Sequence, residues 1–105
     1  MRILLDQGTP APLREHLPGH EIKTAYEMGW SQLENGDLLA AAEAQFELMI
    51  STDQNLRYQQ NLAGRRIAIL ILMTTSWPRI EAEVQSVQNE VSAITAGDYR
   101  EINFP

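Results

Sequence analysis

Short apolar runs alternate with polar turns and helical patterns along the chain. Ile3-Leu4-Leu5 is the first run, apolar without alternation, which suits a strand covered on both faces. It stops at Asp6-Gln7-Gly8. Thr9 and Pro10 fit the N-cap and first position of a helix running from Pro10 to about Leu17, which Pro18-Gly19 ends. Residues 21–26 predict a second strand, with Ile22, Thr24 and Tyr26 on one side. Met28-Gly29-Trp30 is a bulky loop expected beneath the next helix. That helix opens at Asn35-Gly36-Asp37, and its Leu38–Ala44 portion, nearly all Leu and Ala, implies deep burial. Gln45 stands where a C-terminal glycine is expected.

The third strand is predicted over Phe46–Ile50, followed by a helix from Asp53 to Leu62 with Leu56 and Leu62 as its apolar positions. Ala63-Gly64 ends it. The stretch Ile67 to Leu72 is apolar throughout, the pattern of a central parallel strand. Beyond the turn at Thr74–Pro78, Ile80, Val84, Val87, Val91 and Ile94 recur at alternating spacings of four and three, one stripe on a single solvated helix. Gly97 ends that helix, and Asp98 to Asn103 fit a final edge strand.

Strand–helix alternation predicts one three-layer α/β/α domain over residues 1–105, with a mostly parallel sheet of four to five strands and right-handed crossovers. A strand order 2-1-3-4 makes the first and third strands neighbours. The topological switch point then lies between their carboxyl ends, where such sheets bind ligands. Asp6 follows the first strand and Asp53 the third. Asp37 opens the helix between them. Three aspartates offer hard oxygen ligands suited to Mg²⁺ or Mn²⁺.

Composition narrows the chemistry. The 105 residues are 44% apolar, as in a globular protein, and contain no cysteine, so disulfides and thiolate metal sites are excluded and a reducing compartment is expected. The opening apolar stretch is too short for a signal peptide, and Ile67–Met73 is far below the ~20 residues that cross a bilayer. A cytoplasmic protein without membrane association is the expectation. A net charge of −6 opposes broad electrostatic capture of nucleic acid, yet permits an acidic site neutralised by bound cations.

The segments Arg2-Ile3-Leu4-Leu5-Asp6, Asn35-Gly36-Asp37-Leu38-Leu39 and Ile50-Ser51-Thr52-Asp53-Gln54-Asn55-Leu56 together resemble the short PIN-like proteins, minimal PIN domains related to the toxins of toxin–antitoxin pairs. The resemblance covers nearly the whole chain and rests on order and spacing. It implies a metal-dependent endoribonuclease in which Asp6, Asp37 and Asp53 hold Mg²⁺ or Mn²⁺. It also implies an RNA substrate, a protein antitoxin and a homodimer as partners. PIN sites usually have a fourth acid, for which Glu34 and Glu43 are the candidates. A PIN-like fold without catalysis, serving as a binding or dimerisation module, is the alternative. A phosphoacceptor receiver domain fits less well. It needs an acidic pair near the first strand and a lysine after the fifth, whereas this chain has Asp6 alone and Lys23 as its one lysine.

Each candidate also has a plain structural role open to it. Asp37 in a first helical turn complements the dipole, and Asp53 is a suitable cap. Thr52, Gln54 and Asn55 could orient water or phosphate, or serve as turn chemistry. Arg57, Arg65 and Arg66 could touch phosphate or lie on solvated surface. His16 and His20 fit a surface loop, and Trp30 and Trp77 fit packing.

Overall fold

A computed structural model describes all residues from Met1 to Pro105. Its five strands are β1 (Arg2–Leu5), β2 (Glu21–Thr24), β3 (Leu48–Ser51), β4 (Ala68–Leu72) and β5 (Tyr99–Ile102). They form one all-parallel sheet in the order β2-β1-β3-β4-β5. The helices are α1 (Asn35–Gln45), α2 (Leu56–Gln59), α3 (Trp77–Ala82) and α4 (Val84–Ala93), with a 3₁₀ segment at Ala11–His16. None is long and apolar enough to cross a membrane.

The strands lack alternation because both faces are covered. Every residue of β3 and β4 is buried. One face presents Ile3, Leu5, Leu48, Ile50, Ala68, Leu70 and Leu72 to the 3₁₀ segment and to α3 and α4. The other presents Leu4, Met49, Ile69 and Ile71 to Leu38, Leu39 and Ala42 of α1 and Leu56 of α2. Full burial of each such Leu or Ile contributes about 1.5–3 kcal/mol, so these two clusters dominate the stability. Met28 and Trp30 pack on the α1 side as expected, with Trp30 edge-on to Phe46 at 6.0 Å between centroids.

The four crossovers do not share one hand, contrary to the sequence expectation. The β1–β2 connection moves one way along the sheet over the first face, whereas β4–β5 moves the opposite way over that same face. The β2–β3 and β3–β4 connections use the other face and agree in hand with β1–β2. The last crossover therefore has the opposite hand to the other three. Coverage explains it. The first face carries only six 3₁₀ residues from the amino-terminal half, and without α3 and α4 its apolar side chains on β3 and β4 would meet water.

Element lengths differ from the sequence reading in several places. The predicted helix from Pro10 is a 3₁₀ segment, and Thr9 does not cap it. The second strand ends at Thr24, where the Ala25 amide bonds to Leu5 O and a turn through Gly29 (φ 76°) begins, leaving Tyr26 exposed. The third strand starts at Leu48 rather than Phe46. Only one turn of the expected Asp53–Leu62 helix forms. Residues 57–61 offer Leu56 no apolar partner at helical spacing, and so short a helix needs one. The final helix breaks at Glu83 (φ −119°, ψ 27°), although Ile80, Val87, Val91 and Ile94 still reach one core.

Candidate functional site

At the carboxyl edge of the sheet, β1 and β3 run side by side with Leu5 opposite Ile50. The pairing continues one residue further, because the Asp6 amide donates to Ile50 O at 2.9 Å. Beside it lies Ser51, the last residue of β3 and fully buried. Its Oγ donates to Asp6 Oδ2 at 2.8 Å and accepts the Asp53 amide at 3.0 Å. A backbone N–H can only donate, so the serine proton is committed to the Asp6 carboxylate. One buried hydroxyl thus ties together the aspartates that follow the two central strands.

Ser51 holds only the Asp6 carboxylate, and other partners fix the remaining oxygens. Asp6 Oδ1 accepts the Gln7 amide at 2.7 Å. Asp53 Oδ1 accepts the Asn55 amide at 3.0 Å, an Asx turn that leads into α2. Asp53 Oδ2 accepts from Asn35 Nδ2 at 2.8 Å, and the same amide group reaches Gln59 Oε1 at 3.3 Å. Asn35 is the first residue of α1, so that helix is anchored to the site by a side chain.

The loops after β1 and β3 are closely packed. Thr9 Oγ1 is buried and donates to Ile50 O, the carbonyl that also receives the Asp6 amide. A Cβ on Gly8 would lie 2.7 Å from Thr52 Oγ1. Threonine is stiff at χ1 and cannot easily turn aside. Gly8→Ala should therefore destabilise the fold by about 1–3 kcal/mol. Adding Thr52→Ala should recover part of that loss in a urea titration; purely additive losses would refute the clash.

The three predicted aspartates do not gather into one cluster. No group of three or more Asp, Glu, His or Cys side chains is arranged to hold a metal ion. Asp6 and Asp53 share Ser51, whereas Asp37 is exposed on the third residue of α1. It lines an adjoining polar cleft of about 420 Å³ with Glu34, Asn35, Gly36, Gln59 and Gln60. Asn35 and Gln59 connect this cleft to Asp53. Of the two candidates for a fourth acid, Glu34 lies on this cleft. Glu43 is directed elsewhere: it accepts the Arg66 amide and pairs with Arg65 at 3.1 Å. These contacts hold its pKa below the usual value, the Arg66 amide contributing most.

The remaining candidates divide similarly. Thr52 is half-buried against Gly8, and Gln54 and Asn55 are exposed. Arg57 lies over the rings of Tyr58 and Tyr99, 4.7 and 5.9 Å from their centroids, and pairs with Glu101 at 3.7 Å. Burial, with help from a hydrogen bond to Glu101, raises the Tyr99 pKa to about 12. His16 stacks near Trp77, and His20 meets the Met1 amino group; neither joins the aspartates. Sequence reasoning missed Ser51 and Asn35 as parts of the site. The signal for Ser51 is a small polar residue ending an apolar run two positions before an aspartate.

Two carboxylates at a sheet edge provide the oxygen chemistry that Mg²⁺ or Mn²⁺ takes. Mg²⁺ is commonly held by only one or two carboxylates, with waters and substrate phosphate completing its octahedron. Asp6 and Asp53 supply that number of carboxylates, although Ser51 joins the Asp6 carboxylate to the Asp53 backbone amide rather than to its carboxylate. The fold is that of an α/β/α protein with a five-stranded parallel sheet, and two aspartates follow the neighbouring strands at its switch point. No protein-family model matches the chain, and neither a curated protein nor a solved structure matches it.

Proposed function

We propose that the chain is a metal-dependent endoribonuclease of PIN type, with Asp6 and Asp53 holding Mg²⁺ or Mn²⁺ and Asp37 on the rim of the substrate cleft. The reading is supported by one observation: at the switch point the buried Ser51 hydroxyl joins the Asp6 carboxylate to the backbone amide of Asp53. A bound divalent ion supplies charge neutralisation at the scissile phosphate and eases deprotonation of the attacking water. The chain's own residues supply position. Ser51 holds one oxygen of Asp6, Asn35 holds one oxygen of Asp53, and both leave a second lone pair on each oxygen for a ligand. A protein antitoxin and a second copy of the chain are the partners that the PIN resemblance adds to this proposal.

The direct test is cleavage of a labelled single-stranded RNA in Mn²⁺. Asp6→Asn and Asp53→Asn should each reduce cleavage by at least about a hundredfold, the scale expected when an electrostatic group at the reacting phosphate is removed. Asp37→Asn should reduce it less. Full activity in Asp6→Asn would remove the proposal.

A second reading, a PIN-like binding or dimerisation module without catalysis, has its own support. All four carboxylate oxygens of Asp6 and Asp53 already accept an internal hydrogen bond. Such bonds give both residues a structural role with no metal involved.

A further inference from the structure

The edge of the sheet opposite the aspartates holds an open cavity of about 480 Å³. That volume lies within the roughly 300–1,000 Å³ of small-molecule sites. Its wall is built from Phe46 before β3, Arg66 and Ile67 before β4, and Ile94 to Ala96 between α4 and β5. Six of its ten lining residues are hydrophobic. Phe46 and Ile67 belong to the core on the α1 side of the sheet, and Ile94 to the core on the α4 side. The cavity therefore opens where the two halves of the core meet at the end of the sheet.

The polar groups on the wall are committed, with one exception. Glu43 accepts the Arg66 amide and pairs with Arg65. Glu47 Oε1 accepts the Arg2 amide at 3.0 Å. Thr95 donates both its amide and its hydroxyl to Asp98. Arg66 bonds only through its backbone, to Glu43 and Gly97, and its guanidinium has no partner. Arg2, Arg14, Arg57, Arg65 and Arg100 each pair with an acid. A guanidinium presents five N–H donors in a planar fork that matches a carboxylate.

The wall also sets the shape and charge of an occupant. Arg2 lies over the Phe46 ring at 5.1 Å, and Trp30 meets the same ring edge-on, so Phe46 is already engaged. The rest of the apolar wall is aliphatic, which suits a flexible chain rather than a stacked ring. One free guanidinium matches one negative charge. A more highly charged anion would face Glu43 and Glu47 without further compensation.

We propose that this cavity binds a medium-chain aliphatic monocarboxylate, its chain against Phe46, Ile67 and Ile94 and its carboxylate on Arg66. The site lies at the opposite edge of the sheet from Asp6 and Asp53 and does not depend on the nuclease reading.

The test is isothermal titration calorimetry of the full chain with hexanoate, octanoate and decanoate. Each buried methylene should tighten binding about fourfold until the cavity is filled. Octanol should bind more weakly than octanoate. Arg66→Gln should weaken octanoate by about tenfold, the low end for a hydrogen bond to a charged group because this arginine is exposed, and should leave octanol unchanged. Arg79→Gln removes the other arginine without an acid partner and should change neither. Glu47→Gln should tighten octanoate by taking a negative charge from the wall. Ala96→Trp fills the cavity from an exposed position and should abolish binding of both ligands, with circular dichroism showing every variant folded. Failure of the wild type to bind octanoate, affinity independent of chain length, or wild-type affinity in Arg66→Gln or Ala96→Trp would each overturn the proposal. Equal losses in Arg66→Gln and Arg79→Gln would also overturn it, because surface charge alone would then account for binding.

Discussion

Saturating Mn²⁺ should raise the melting temperature of the wild-type protein by on the order of 10 °C, and Asp53→Asn should abolish that rise. The magnitude follows from linkage. An ion at a hundred times its Kd, bound only by the folded chain, adds about 2.7 kcal/mol. In a domain of this size each kcal/mol is worth about 4–8 °C at the lower end of the size range and less above it. The substitution is nearly isosteric. The carbonyl oxygen of the new side chain would still accept the Asn55 amide, and Asn35 could rotate its own amide to meet the new NH₂ group. The metal-free variant should therefore melt close to the wild type, which isolates the ion's contribution. A shift in both proteins would place the ion elsewhere, with the exposed Asp37 cleft the next site to test. No shift in either would remove metal binding at useful affinity and favour the binding-module reading.

The sheet is legible in the sequence because burial leaves a direct mark there. Ile3–Leu5 and Ile67–Leu72 are apolar without alternation, which requires cover on both faces and hence parallel strands. The apolar runs do not give the strand order; the order 2-1-3-4 is a premise of the sequence reading that the sheet bears out, and the switch point between Asp6 and Asp53 follows from it. The hand of the last crossover is not legible. The stripe from Ile80 to Ile94 specifies that a helical face is buried, but not which side of the sheet buries it. The sequence reading overestimates the length of α2, because Leu56 and Leu62 do not share one face at helical spacing.

Sites depend more on distant partners. Ser51 meets Asp6 across 45 positions, and Asn35 meets Asp53 across 18. No local spacing encodes either bond. Asp37 illustrates the converse. Its place at a helix start is legible, and this alone satisfies an acid there through the dipole, so position does not decide between ligand and first-turn residue.

Ser51→Ala should be the most costly single-atom deletion at the site, lowering stability by about 2–4 kcal/mol. Removing Oγ leaves the Asp53 amide without its acceptor, a loss of about 1–3 kcal/mol for a fully buried donor and less for this partly buried one. It also removes a hydrogen bond to the Asp6 carboxylate, for which about 1.5–3 kcal/mol is typical, although Asp6 is only half-buried and water can replace part of it. The two losses share one atom and will not add fully. Ser51→Cys should fall between, since a thiol keeps the volume but donates weakly. The measurement is the urea midpoint of each variant without metal, repeated in Mn²⁺. If Ser51 positions the Asp6 carboxylate and the backbone turn at Asp53 for an ion, the Mn²⁺-induced gain should shrink in proportion to the lost contact, more in Ala than in Cys. If it only closes the edge of the sheet, stability should fall while the Mn²⁺ response stays unchanged. A midpoint within about 0.5 kcal/mol of wild type, the range of an ordinary surface change, would show that the hydroxyl carries neither role.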